Sequence, residues 1–289
     1  MCRTKIIATL GPSTDDPATL AKLFKAGVDV VRVNFSHGDA DTREKRVRTV
    51  RAVAEQCGKY IAVLGDLQGP KIRIQRFRDG PVQLVEGQAF VLDTAMDPQA
   101  GTVEGVGVAY QRLPDDVSKG DNLLLDDGFI TLAVERVSGT QVHCRVVQGG
   151  PLGDNKGINR QGGGLSAPAL SDKDRQDLVQ AAALGVDWLA VSFVRCADDL
   201  HEARELLHKA GSSAHLVAKI ERAEALANLE SVIDASDAVM VARGDLGVEM
   251  GYAGLTGLQK QILKMTRHRH KIAITATQML ESMIHNKVP

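Results

Sequence analysis

Three apolar runs of this 289-residue chain end in residues that can do chemistry: LVAKIE at 216–221, AVMVARGDLGVE at 238–249 and IAITATQ at 272–278. In the first, the two-residue period of an extended strand puts Lys219 and Glu221 on one face, so an ammonium and a carboxylate emerge side by side. Asp245 follows one run later, after an Arg-Gly pair that lets backbone amides turn toward a ligand. A lysine with two carboxylates suits an anion held through a divalent metal. The carboxylates supply hard oxygen ligands, and the ammonium neutralises charge on a transferring group. The same residues would also serve as buried ion pairs inside a packed barrel; their shared position at strand ends favours a site.

The elements that must position them recur along the chain. Apolar strands are expected at Lys5–Leu10, Val28–Asn34, Ile61–Leu64, Trp188–Phe193, Leu216–Ile220, Ala238–Ala242 and Ile272–Thr275. Helical stretches lie between them at Asp16–Ala26, Asp41–Gln56, Asp172–Leu184, Ala197–Lys209 and Ala223–Ser231, with polar starts and glycine stops. Alternating strand and helix predicts right-handed crossovers and a parallel sheet. From Ile61 to Trp188 the strand-to-strand step is 127 residues, where the others span 22 to 34. The excess carries short alternating runs such as VQLV, AFVLD, NLLLDD, ITLAV and VHCRVV, separated by Asp-Gly, Glu-Gly and Ser-Gly pairs. This predicts a small all-β unit at 71–166, inserted between barrel segments 1–70 and 167–289. Its glycine-rich exit, with Gly162–Gly164 read as a hinge, would let it close as a lid. The expected fold is therefore α/β: a TIM (β/α)8-type barrel with an inserted β lid after strand 3. Only seven strands are read, so the barrel is expected to be incomplete at its C-terminal end.

Composition is compatible with such an enzyme. A formal net charge of −1 gives no electrostatic reason to expect nucleic acid or an anionic membrane as partner. The four cysteines, Cys2, Cys57, Cys144 and Cys196, form no CxxC pair and suit a reducing cytosol. No run approaches a membrane span, and a soluble cytoplasmic protein is expected.

The segments TKIIATLGPS, VVRVNFSHG, GDLQGPKIR, VSFVR, AKIE, VARGDLGVE and ITATQMLESM, in this order and over essentially the whole chain, resemble the pyruvate kinase family. The resemblance implies phosphoryl transfer from phosphoenolpyruvate to ADP, giving pyruvate and ATP. It implies Mg2+ (or Mn2+) on Glu221 and Asp245, and Lys219 stabilising the transferred phosphoryl group. Arg32 would hold a phosphate, the amides of Gly244 and Asp245 the substrate carboxylate, and Thr277 would lie near the enolate methylene. Arg32, Asn34, Arg73 and Lys156 are the implied nucleotide contacts. Asn34, Ser36, Asp66 and the Leu67 carbonyl correspond to a monovalent-cation site. Many members place a glutamate where this chain has Lys71, and an ammonium there would replace potassium, so K+ is expected to be dispensable. A homo-oligomer, tetrameric in the family, is implied, as are an eighth strand and a C-terminal regulatory domain beyond this chain. For Ser192 a pocket role and a bond to its neighbours both stay open. His37 is read as structural and His268–His270 as a solvated helix end. Two other readings use the same residues: a magnesium-dependent lyase or aldolase acting on a pyruvate enolate, and a non-catalytic, incomplete barrel.

Overall fold

The computed structural model describes residues 4–277 and 281–287; Cys2 and Gln278 lie outside the described residues. Seven parallel strands form one sheet in chain order: β1 Ile7–Thr9, β2 Val30–Asn34, β3 Ala62–Asp66, β4 Trp188–Val191, β5 His215–Ile220, β6 Ala238–Ala242 and β7 Ile272–Ala276. Each strand pairs with its sequence neighbour, the arrangement that a helix on one side of every crossover produces. The register sets Asn34 beside Asp66 and Asp66 beside Ala190, so the carboxyl ends of β2, β3 and β4 are level.

Local chemistry fixes the helices that hold this sheet. Asp16 caps Pro17–Ala26 by accepting from Thr19 N–H at 2.9 Å, and Gly27, at φ 112°, ends it in the left-handed region. Ser171 and Asp174 form a reciprocal capping box at the start of Asp172–Ala183. The helix expected over 223–231 is instead two, Ala223–Ala227 and Leu229–Ala235. Asn228 breaks it by donating its amide to Glu224 O (3.2 Å) and Arg195 O (3.0 Å), so its side chain competes with the helical ladder. Helices Arg243–Met250 and Tyr252–His268 fill the step from β6 to β7, and the second ends at the His268–His270 run read as a helix end. Glycines at 251, 254 and 257 obscure their period.

Residues 74–165 build a second core around Phe90, Leu92, Leu123, Leu132 and Val146, separate from the core beneath the barrel helices. It holds a six-stranded sheet and a two-stranded one, mostly antiparallel. Its exit is docked rather than slack. Gly162 N–H donates to Glu249 O (3.1 Å) and Gly164 N–H to Glu224 Oε1 (2.7 Å). At Gly163, φ is 83° and an added Cβ would stand 2.9 Å from Ala223 Cβ, so glycine serves close approach here. No helix among the described residues is long and apolar enough to cross a membrane.

Candidate active site

At least one polar residue from each of the first five barrel strands, or from the turn after it, joins a continuous chain of contacts. Arg32 Nη1 donates to Thr9 Oγ1 (3.1 Å) and its Nε to Asp66 Oδ2 (2.6 Å). Asp66 Oδ1 stands 3.3 Å from Lys219 Nζ, which donates to Ser192 Oγ at 2.7 Å and lies 2.8 Å from Glu221 Oε1. Glu221 Oε2 accepts from Phe193 N–H at 2.8 Å. Phe193 has φ 55°, an uncommon conformation for a residue with a Cβ, and this turns its amide toward the carboxylate.

Asp66, Ser192 and Glu221 are each only 1% exposed, so their charges and dipoles must be satisfied within the protein. Burial alone would push the Lys219 pKa down, but Glu221 and Asp66 outweigh it and the net shift is upward; the ammonium is held charged. Burial pushes the Glu221 pKa up, opposed by Lys219 and reinforced by Asp245 and Asp66. Burial is the largest cause of that upward shift, and the Asp245 and Asp66 carboxylates add to it.

Past β6 the chain turns directly into helix Arg243–Met250. Gly244 N–H, in its first turn, donates to Thr277 Oγ1 at 3.2 Å. Thr277, at φ 62°, follows β7, and this bond brings its hydroxyl against the first turn of the helix. Asp245 Oδ1 stands 3.3 Å from Lys71 Nζ, which also lies 3.7 Å from Asp127 Oδ1 in the inserted unit.

That pairing corrects the place expected for Lys71. Its ammonium neutralises Asp245 and does not join Asn34, Ser36, Asp66 and Leu67, because both Asp66 oxygens are engaged by Arg32, Lys219 and Ser192. The Leu67 carbonyl accepts from Ser192 Oγ (2.8 Å), and Asn34 Oδ1 accepts from Ser36 N–H (3.0 Å). Ser192 thus bonds its neighbours. Arg73 donates to Asn155 O (2.8 Å) and Lys156 pairs with Asp126 (2.8 Å), so both are held within the inserted unit. His37 is exposed on the turn after β2, and His268 and His270 are exposed at a helix end. Thr9 and the Phe193 amide were not legible as partners; Thr9 lies inside the first motif, but its contact with Arg32 depends on strand register.

Among the described residues no group of three or more His, Cys, Asp or Glu forms a metal cage. Two neighbouring carboxylates, Glu221 and Asp245, supply hard oxygen ligands of the kind a magnesium ion takes, with its remaining oxygens left to substrate and water. Held by Glu221 and Asp245, such an ion would supply Lewis-acid polarisation.

The family model "Pyruvate kinase, barrel domain" matches residues 1–289. The chain is 52% identical over 290 residues to pyruvate kinase of Haemophilus influenzae, covering 99% of this chain and 61% of that protein. It is 52% identical to pyruvate kinase II of Salmonella typhimurium (99% and 60%) and 45% identical to pyruvate kinase of Mycobacterium tuberculosis (99% and 60%). A crystal structure of a pyruvate kinase from Cryptosporidium parvum superposes with a TM-score of 0.92 at 33% identity, over 97% of this chain and 59% of that one. The chain thus spans about three fifths of the length of the relatives it matches.

Proposed function

The chain belongs to the pyruvate kinase family, and on that premise we propose that its barrel carries Mg2+-dependent phosphoryl transfer between phosphoenolpyruvate and ADP. The observation that carries this reading is the Lys219 ammonium, held charged between Glu221 and Asp66 at the level where the strands end. A fixed cation of this kind stabilises charge spreading over a transferring phosphoryl group without reorganising during reaction.

The other residues follow from their placement. Arg32, braced by Asp66 and Thr9, presents its guanidinium to phosphate. The amides of Gly244 and Asp245 open a helix, whose N-terminal dipole favours the substrate carboxylate. Thr277, bonded to Gly244 N–H, stands beside the carbon that is protonated after transfer. Arg73, Lys156 and Asn34 serve the nucleotide once the unit at 71–166 closes as a lid on the barrel at 1–70 and 167–289. Potassium is dispensable because Lys219 and Arg32 already neutralise Asp66, and Lys71 neutralises Asp245. Mn2+ can replace Mg2+. The working enzyme is cytoplasmic and a homo-oligomer, a tetramer on the family pattern.

Pyruvate release from phosphoenolpyruvate and ADP, coupled to an NADH readout, tests the proposal on these 289 residues and on the chain carried to the length of its relatives. Magnesium-dependent turnover supports it; no turnover by the longer chain rejects it.

A further inference from the structure

Glu249 lies four residues past Asp245 on helix Arg243–Met250, is 5% exposed, and belongs to none of the roles above. Its carboxylate faces two elements that also touch directly, Gly164 N–H donating to Glu224 and Arg222 to the Leu165 and Ala167 carbonyls. Oε2 accepts from Ala223 N–H (2.9 Å), two residues beyond Glu221 on the turn that ends β5. Oε1 accepts a longer bond from the Asn159 amide (3.4 Å) on the last strand of the inserted unit, Ile158–Arg160. Its own carbonyl takes Gly162 N–H, so one residue holds the exit segment twice. Around it a narrow cleft between the two cores is lined by Pro70, Lys71, Asn159, Phe193 and Arg222.

We propose that Glu249 is a positioning residue that ties docking of the inserted unit to the turn carrying Glu221, through Asn159 on one side and Ala223 N–H on the other. The inference rests on the functional reading above only for its effect on turnover; the coupling itself is a property of the fold. Arg222 and Glu224 face Glu249 from the β5 turn, Lys71 from the cleft wall, and Asp245 lies one helical turn back. Burial, with Glu224 beside it, pushes the Glu249 pKa from 4.5 up to about 7 against the Ala223 N–H and Arg222. Because the pKa of the buried state is raised, the docked arrangement is fully favoured below the ordinary carboxylate range and loses that support as pH rises through about 7.

Amide hydrogen exchange of the native chain, Glu249→Ala and Glu249→Gln, without substrate, tests this. Glu249→Ala should speed exchange about tenfold in both 158–166 and 221–226 while leaving 130–148 unchanged. Glu249→Gln keeps an acceptor for Ala223 N–H and can pair with a turned Asn159 amide, so it should restore protection. Between pH 6 and 8, after correction for intrinsic rates, protection of 158–166 should fall in the native chain and stay level in Glu249→Gln. Loosening of only one segment, loosening of 130–148 as well, or equal pH dependence in Glu249→Gln would overturn the proposal. Since exchange is read without turnover, such a result leaves the kinase reading standing.

Discussion

Lys219 Nζ and Glu221 Oε1 stand 2.8 Å apart at the carboxyl end of β5, two residues apart along one strand face. The pair is not self-contained: Asp66 shares the ammonium, and burial, with Asp245 and Asp66 adding to it, raises the Glu221 pKa. Lys219 therefore serves two buried carboxylates, and losing it would leave their charge without that partner.

Glu221→Gln should weaken Mn2+ or Mg2+ binding by at least about tenfold, since one of two protein carboxylates is lost. Calorimetric titration of Mn2+ into the native chain and the variant reads this directly. Removal of divalent ions with EDTA should abolish turnover and their return should restore it. Equal Mn2+ affinities would remove Glu221 from the metal site.

Gly69→Ala should cost about 2–4 kcal/mol in urea unfolding. Gly69 has φ +68°, and a Cβ there would stand 2.6 Å from Phe193 Cδ2 and 2.8 Å from Ser192 Cβ, pressing on the residues that present Phe193 N–H and Ser192 Oγ to the site. An unfolding midpoint equal to that of the native chain would show that this turn can shift without consequence.

Native turnover should be the same in potassium chloride and in tetramethylammonium chloride. The cations at Asp66 and Asp245 belong to the chain, so no monovalent ion is needed to balance them. Strong stimulation by potassium would contradict this assignment of charge.

Much of this arrangement was readable before folding was considered. The alternation around Lys219 and Glu221, the polar helix starts at Asp16 and Asp172, and the long step after Ile61 are local signals. What escaped was non-local. Lys71 and Asp245 are 174 positions apart, and nothing in either segment says that the inserted unit's entry leans on the helix after β6. Arg32 reaching Asp66 and Thr9 depends on the register of three strands. Asn228 was read as a helical residue because its competing bond to Arg195 O lies outside the segment. The glycines at 162–164 were readable as a hinge, but not their contacts with Ala223, Glu224 and Glu249, which lie far along the chain.

Cys144 should resist alkylation in the folded chain while Cys57 and Cys196, both partly exposed, react. Burial raises the Cys144 thiol to about 12, leaving almost no thiolate at pH 8. Mass mapping after brief iodoacetamide treatment checks this; early labelling of Cys144 would mean that the core of the inserted unit opens readily.

The central claim is that the buried Lys219 ammonium acts on the transferring phosphoryl group. Steady-state kinetics of Lys219→Met against the native sequence, both at the length of the relatives and both shown to be folded by circular dichroism, tests it most directly. The prediction is a fall in kcat of about 10³-fold with phosphoenolpyruvate KM changed far less, the pattern of an interaction made mainly in the transition state. A kcat within about tenfold of native would contradict it, for a fixed cation that contributes so little is not stabilising that charge.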